Sequence, residues 1–191
     1  MDEGYHRTLE GLRPGDHLCC IYETEEEHRQ IVTPFLRRGL EKNEKVFYIV
    51  DDRTAEQILD YLRQGGVVVD AYLSEGQLQI LASTESYVQG GTFDPDAMIA
   101  LLRRETRKAI KEGYAALRVT GEMAWALRGL PGSERLLEYE TKLNRFFPSS
   151  PALGMCQYDR RQFAPEILLN VVLKTHPIAV VGTEVYDNFF Y

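Results

Sequence analysis

The chain has 191 residues, a net charge of −7 and 44% hydrophobic residues, the size and composition of one globular domain. No apolar run reaches the roughly 18 residues that a membrane span needs, and the acidic, polar beginning of the chain differs from a signal peptide. We therefore predict a cytoplasmic protein without membrane contact, and the lack of a basic patch argues against direct nucleic-acid binding.

Strand-length apolar runs alternate with helix-length segments along the chain. The predicted strands cover residues 17–23, 45–52, 77–83, 115–123 and 152–159, and two short strands around Gly182 form a C-terminal β-hairpin. Helices are predicted at 24–44, 54–66, 95–112, 133–147 and 164–176, with a short helical piece at 69–76. This alternation predicts an α/β fold with a mostly parallel central sheet flanked by helices. Residues 1–13 are predicted to be a loosely attached N-terminal extension of a single domain over residues 14–191.

Local signals mark the beginnings of two helices. Thr24 is followed three residues later by Glu27, the spacing of a capping box, and Asp94 precedes Pro95 as an N-cap precedes a first-turn proline. In the helix at 133–147, the residues predicted to face the core are Leu136, Leu137, Leu143 and Phe146.

Carboxylates follow four of the predicted strands, at the edge where open parallel sheets bind ligands. The candidate ligand-binding residues there are Tyr22, Glu23, Asp51, Asp52, Glu122, Trp125, Tyr158 and Asp159. Aromatic side chains supply apolar walls with polar tips, and carboxylates accept hydroxyls, amines or a metal. The pattern predicts a pocket for a small organic molecule. Two simpler explanations stay open, since strand-ending acids often cap the next helix and a single tryptophan often lies in the core.

His17, Cys19 and Cys156 form the candidate set for a metal or haem. His17 and Cys19 share one face of a strand, and Cys156 lies on another predicted strand. Their spacing lacks the paired units typical of zinc sites, so we assign no metal site and no cofactor, and keep a metal or haem sensor as an alternative. The chain has three cysteines, an odd number that argues against a disulfide framework.

A catalytic role is the second alternative. Glu122 as a general base beside Cys156 or Tyr158 would support proton transfer or nucleophilic chemistry. A separation within about 4 Å between His17 and Cys156 would favour this hypothesis. No G-x-x-x-x-G-K-[ST] motif is present, and acids rather than glycines follow the first strand, which argues against triphosphate binding there. We predict that the protein is not an enzyme.

Six segments, taken in chain order, resemble the MEDS domain, the DcmR-type sensory domain of methanogens and methylotrophs. They are "DHLCCIYETEEEH", "EKVFYIVDD", "GQLQILASTESYVQGGTFDPDAMIALLR", "LRVTGEMAWALR", "PGSERLLEYETKLN" and "CQYDRRQFAPEILLNVVLKTHP". The similarity extends from about Gly15 to Tyr191. It implies a RecA-like or KaiC-like three-layer core that lacks a phosphate-binding loop.

The same resemblance implies a ligand sensor in signal transduction and transcription control, with small hydrocarbon derivatives as ligands. Family members are often attached to DNA-binding or histidine-kinase modules. The implied partner is therefore a separate kinase or DNA-binding regulator, and a homo-oligomer or a fragment of a larger regulator stays open. The family's motif residues correspond to His17, Tyr22, Glu23, Asp51, Asp52, Gly121, Glu122, Trp125, Cys156, Tyr158 and Asp159. The resemblance therefore adds His17 and Cys156 to the candidate ligand-binding residues.

Overall fold

The central strands are buried along their whole length because helices cover both faces of the parallel sheet. In the computed structural model, which describes residues 6–191, the strands are β1 (His6–Arg7), β2 (His17–Tyr22), β3 (Lys45–Val50), β4 (Leu78–Ala82), β5 (Leu117–Glu122), β6 (Ala152–Asp159), β7 (Ile178–Val181) and β8 (Glu184–Asp187). The sheet order is β1-β8-β7-β2-β6-β5-β3-β4. The strands from β7 to β4 run parallel, and β8 and β1 are antiparallel additions at one side. The predicted mostly parallel sheet and C-terminal hairpin are confirmed.

Helices cover both faces of the sheet. They are α1 (Glu25–Glu41), α2 (Ala55–Gln64), α3 (Val69–Ser74), α4 (Pro95–Lys111), α5 (Leu136–Phe146) and a last segment, α6, made of Pro165–Ile167, a π turn at Leu168–Val172, and Leu173–Thr175. The predicted capping box at Thr24 and Glu27 is present, and Asp94 caps α4 in front of Pro95. None of the helices in residues 6–191 is both long and apolar enough to cross a membrane.

The core is divided in two because side chains alternate between the faces of a strand. On β2, Cys19 and Ile21 pack in one cluster with residues of α4, α5 and α6. Leu18 and Cys20 pack in a second cluster with residues of α1 and α2. We call these two sides the α5 face and the α1 face of the sheet. The sheet therefore lies between two layers of helices.

Two predictions about packing are wrong. Residues 6–13 are not loosely attached, since β1 pairs with β8 and Leu12 is only 1% exposed. Residues 1–5 lie outside the described part of the chain, and the division into an extension and one domain stays a prediction. In α5, Leu137 is 49% exposed, and Tyr139 and Glu140 are buried instead.

Candidate functional site

The candidate site residues do not meet in one place, because the sheet separates them. The α5 face carries His17, Cys156 and Tyr158, and the α1 face carries Tyr22, Glu122 and Asp159. Strands β2 and β6 are parallel neighbours with Cys19 opposite Cys156, so residues at matching positions share a face. The structure therefore has two buried polar clusters, one on each face.

The first cluster, the edge cluster, consists of Tyr22, His28, Tyr48, Arg53, Glu122 and Gln157. Its centre is the carboxylate of Glu122, the last residue of β5, which is 2% exposed. Glu122 Oε2 accepts hydrogen bonds from the backbone N–H groups of Asp51 at 2.9 Å, Asp52 at 2.6 Å and Arg53 at 3.0 Å. Three successive N–H groups that converge on one oxygen form an anion-binding nest. The protein's own carboxylate fills this nest after β3.

Tyr48 and Arg53 contact the other Glu122 oxygen, Oε1, and connect it to the rest of the edge cluster. The Tyr48 hydroxyl lies 2.9 Å from both Glu122 Oε1 and Gln157 Oε1, and His28 Nε2 lies 2.7 Å from Gln157 Oε1. Arg53 donates to the Tyr22 hydroxyl at 3.1 Å. Burial, together with the positive charge of Arg53, lowers the pKa of His28 to about 4. His28 is therefore a neutral member of the network at neutral pH.

The other carboxylates at this edge also have partners within the protein. The pairs are Asp51 with Arg128 at 2.8 Å, Asp52 with Gln162 at 2.8 Å, Asp159 with Arg161 at 2.6 Å, and Glu23 with Arg160 at 3.3 Å. Burial raises the pKa of the Asp51 carboxyl, although the charge of Arg128 opposes the rise. These contacts connect the loops that follow β2, β3, β5 and β6.

Trp125, the remaining candidate at this edge, lies in the core of the α5 face. Its side chain is 0% exposed, and its ring stacks on Tyr87 with centroids 5.1 Å apart. Phe93 packs on it with centroids 4.1 Å apart. These contacts agree with the simpler explanation for a single tryptophan, which is packing in the core.

The second cluster, the histidine cluster, consists of His17, Glu140, Cys156, Tyr158 and His176. Glu140 Oε2 lies 3.3 Å from His17 Nε2, 3.2 Å from His176 Nε2 and 3.6 Å from Cys156 Sγ. Cys156 Sγ lies 3.7 Å from His17 Nε2, and the Tyr158 hydroxyl donates to Glu140 Oε1 at 2.5 Å. All five side chains are buried. The sequence predicted three of them, and the fold adds Glu140 and His176.

Electrostatics in the histidine cluster follow from its burial. Burial and the neighbouring His176 lower the pKa of His17. Burial and the charge of Glu140 raise the pKa of the Cys156 thiol well above its ordinary value. Burial tends to raise the pKa of Glu140, but the electrostatic interaction with His176 and the polar contacts with His17 and His176 outweigh it and hold that pKa low. Glu140 is thus ionised and Cys156 is a neutral thiol.

These facts bear on the two alternatives from the sequence. The His17–Cys156 separation of 3.7 Å meets the distance expected of a catalytic pair. A buried thiol with a raised pKa is, however, a poor nucleophile, which disfavours the catalytic hypothesis. In the metal hypothesis, Cys19 is not part of the group, since its thiol lies 3.8 Å from the carbonyl of Ile178.

A comparison with protein families matches residues 16–177 to the model described as "MEthanogen/methylotroph, DcmR Sensory domain". The match covers most of the chain. The chain belongs to the MEDS family.

One curated relative of this MEDS domain is the transcriptional repressor DcmR of Methylorubrum extorquens, which is 29% identical over 177 residues. The alignment covers 92% of this chain and 60% of the repressor, so the MEDS domain spans less than two thirds of that relative's length. A solved structure with the same fold is a KaiC-like protein of Pyrococcus horikoshii OT3, with a TM-score of 0.62 and 18% identity. That alignment covers 88% of this chain and 72% of the other. The predicted KaiC-like, RecA-like core is confirmed, and the chain is a sensory domain of the type found in a transcriptional regulator.

Sequence reasoning missed several polar residues that complete the two clusters of this MEDS domain. Glu140 was missed because the helical phase chosen for α5 put Leu137 inward; Leu136, Tyr139, Glu140 and Leu143 are the buried positions. With the correct helical phase the sequence does mark Glu140, because it is a carboxylate within an otherwise apolar stripe of α5. His28 likewise begins the buried stripe of α1. His176 follows α6 directly, and no periodic pattern in the sequence marks it.

Proposed function

We propose that this MEDS domain is a sensor for transcription control that binds a small organic molecule, of the hydrocarbon-derivative class, at the carboxyl edge of its sheet. The observation that supports this location most is the Glu122 carboxylate in the backbone nest of residues 51–53. A ligand with a hydrogen-bond acceptor competes for those N–H groups. Binding would then replace an internal contact rather than fill an open cleft.

In this proposal the edge cluster has two arrangements, the present one with Glu122 in the nest and a second one with Glu122 displaced from it. With Glu122 in the nest, the end of β5 is joined to the loop between β3 and α2. Displacement of Glu122 would free the Tyr48 hydroxyl and Arg53, which hold Gln157 on β6 and Tyr22 on β2. A ligand that binds only the displaced form shifts the population towards it. The arginine-paired carboxylate Asp51 lies in the loop that would move.

The proposed output is regulatory, and no catalytic step is assigned to the domain. The relative DcmR is a transcriptional repressor, and the matched region is 60% of its length. We assign DNA contact to a different segment or protein, because this chain has a net charge of −7 and nucleic-acid binding requires a basic surface. We propose that the domain acts in the cytoplasm, in keeping with a role in transcription control. A separate DNA-binding regulator, a kinase or a second copy of the domain would detect the displaced form.

A ligand screen followed by thermal unfolding and fluorescence tests the proposal. The panel contains one-carbon and two-carbon alcohols, amines, acids and halides. Trp125 is the single tryptophan of the chain and lies three residues after Glu122, so its emission reports on the loop that follows β5. We expect at least one compound to raise the unfolding temperature of the wild-type protein and to change the Trp125 emission.

Glu122→Gln and Glu138→Gln are the matched variants for that screen. Glu138 is a carboxylate on the surface of α5, paired with Arg135 and Lys142. The active compound should keep its effective concentration on Glu138→Gln and act at a lower concentration on Glu122→Gln, because a neutral amide binds the nest less tightly than a carboxylate and is displaced more easily. An equal response of both variants would show that the ligand binds elsewhere, and a panel without any active compound would contradict the proposed ligand class.

A further inference from the structure

We propose that the histidine cluster is a binding site for one divalent metal ion of the zinc type, held by His17 Nε2, His176 Nε2, Glu140 Oε2 and Cys156 Sγ. These four atoms all lie within 4.8 Å of one another, and all four side chains are buried. The site is on the α5 face, opposite the edge cluster, and does not depend on the ligand proposed there. It differs from the site considered from the sequence, because Glu140 and His176 take part and Cys19 does not.

The separations between these atoms are those of a tetrahedral ligand set. Zinc–nitrogen and zinc–oxygen bonds of about 2.05 Å at tetrahedral angles place N and O ligands about 3.3 Å apart, and a zinc–sulfur bond of about 2.3 Å places S about 3.5 Å from either. The observed values are 3.3 and 3.2 Å from Glu140 Oε2 to the two histidine nitrogens. Cys156 Sγ lies 3.6 Å from Glu140 Oε2 and 3.7 Å from His17 Nε2. Four of the six ligand–ligand separations therefore match those expected of a tetrahedral zinc site.

Hydrogen bonds at Nδ1 orient each histidine ring so that its Nε2 atom faces the centre of the cluster. His17 Nδ1 lies 2.8 Å from Asn144 Oδ1, while the Asn144 amide group donates to the carbonyl of Thr175, so that Oδ1 accepts and His17 Nδ1 donates. His176 Nδ1 donates to the carbonyl of Val172 at 2.7 Å. Because each Nδ1 donates, Nε2 is the ring atom of each histidine that can offer a lone pair to an ion, and both Nε2 atoms lie beside Glu140 Oε2. Metal-binding histidines are oriented in this way.

A hydrogen bond also orients the Glu140 carboxylate. Its Oε1 accepts from the Tyr158 hydroxyl, which leaves Oε2 directed at the two histidines and Cys156. Two nitrogen lone pairs and a carboxylate oxygen repel one another unless a cation or protons lie between them. A divalent ion would be matched in charge by the Glu140 carboxylate and a Cys156 thiolate, so the buried site would be neutral overall. The Cys156 thiol loses its proton to solvent when the ion binds.

The ligand set also indicates the class of metal and its role. Two imidazoles with one thiolate and one carboxylate suit zinc and its neighbours better than magnesium or calcium, which prefer oxygen ligands. The four protein ligands leave no open position for a substrate, which is typical of structural sites. The ion would join β2, β6, α5 and the residue that follows α6, so its binding would couple the α5 face to the sheet.

Metal analysis and cobalt substitution of the wild-type protein test the site directly. After zinc loading and exhaustive dialysis, we expect about one ion per chain, with competition by a chelating dye giving the affinity. Cobalt(II) in the same site should give the intense visible bands of tetrahedral coordination and a thiolate-to-cobalt charge-transfer band. Protein that retains no metal after loading, or that binds cobalt without tetrahedral bands, would overturn the proposal.

Cys156→Ser and Cys19→Ser are the matched pair of variants. The two cysteines are buried and lie opposite each other on neighbouring strands, so both substitutions perturb the same part of the core. Cys156→Ser should abolish the charge-transfer band and weaken zinc binding more than about 100-fold, while Cys19→Ser should keep both. Asn144→Ala, which removes the orienting hydrogen bond of His17, should weaken binding roughly 10- to 100-fold and keep the band. Equal losses in the two cysteine variants would refute the assignment of Cys156 as a ligand.

Failure of the metal site and failure of the carboxyl-edge ligand have separate readouts. The ligand screen compares Glu122 variants and uses Trp125 emission, whereas metal binding is read by ion content and cobalt absorption. A protein that binds no metal and responds to a ligand would overturn this inference alone.

Discussion

Replacing Glu122 by glutamine removes one negative charge and keeps the shape of the side chain. The amide oxygen can occupy the position of Oε2 and still accept the three N–H groups of residues 51–53. The amide nitrogen then faces the Tyr48 hydroxyl, which can turn its own hydrogen towards Gln157. The variant therefore tests the charge in the nest and leaves the packing of the edge cluster in place.

The expected cost follows from the number of hydrogen bonds that lose their charge. A hydrogen bond to a charged group contributes about 1.5–3 kcal/mol, and one between neutral groups about 0.5–1.5 kcal/mol. The difference is about 1 kcal/mol per bond, and three N–H groups are involved, so Glu122→Gln should lower the free energy of unfolding by about 3 kcal/mol. That loss is a large share of the about 5–15 kcal/mol that stabilises a typical domain.

Urea unfolding, followed by Trp125 fluorescence, measures this loss. The slope of the unfolding free energy with urea should be unchanged while the midpoint falls. The same substitution at Glu138, on the surface, serves as the control and should leave the midpoint where it is. Equal midpoints for Glu122→Gln and the wild-type protein would refute the view that the charge of Glu122 holds the nest together.

Two further predictions concern pH and packing. His28 takes up a proton below about pH 6.5 in the unfolded chain but only below about pH 4 in the folded chain. The His28 contribution to the free energy of unfolding should therefore be fully present above pH 6.5. It should fall by up to about 3 kcal/mol as pH decreases towards 4. Urea midpoints measured across this range should decline less steeply in His28→Gln, and identical slopes would contradict the prediction. Gly121→Ala should cost about 1–3 kcal/mol, because its Cβ would overlap the Tyr87 hydroxyl. Gly11→Ala, whose Cβ meets only Thr8 Oγ1 at 3.6 Å, is the comparison, and calorimetric melting of both variants should separate them.

Much of the fold was predictable because the signals that specify it are local. The strand predicted at 45–52 has a continuous apolar run at residues 46–50, and the structure has β3 there at Lys45–Val50. The capping box of Thr24 and Glu27 fixes the start of α1 without help from the rest of the molecule. The buried face of a short helix with several leucines is harder to predict, because more than one helical phase gives an apolar stripe. The wrong phase in α5 hid Glu140 and, with it, the centre of the histidine cluster.

The sequence by itself determined the order of strands and helices, the family, and the set of carboxylates at the ends of the strands, because apolar periodicity, capping and motif order are properties of neighbouring residues. Only the tertiary structure decided which of those residues meet. His17 and Cys156 are 139 positions apart and become neighbours because β2 pairs with β6. Tyr158 and Asp159 are adjacent in the chain and lie on opposite faces of the sheet, since side chains alternate along a strand. Strand pairing and face alternation thus turned one predicted pocket into two separate buried clusters.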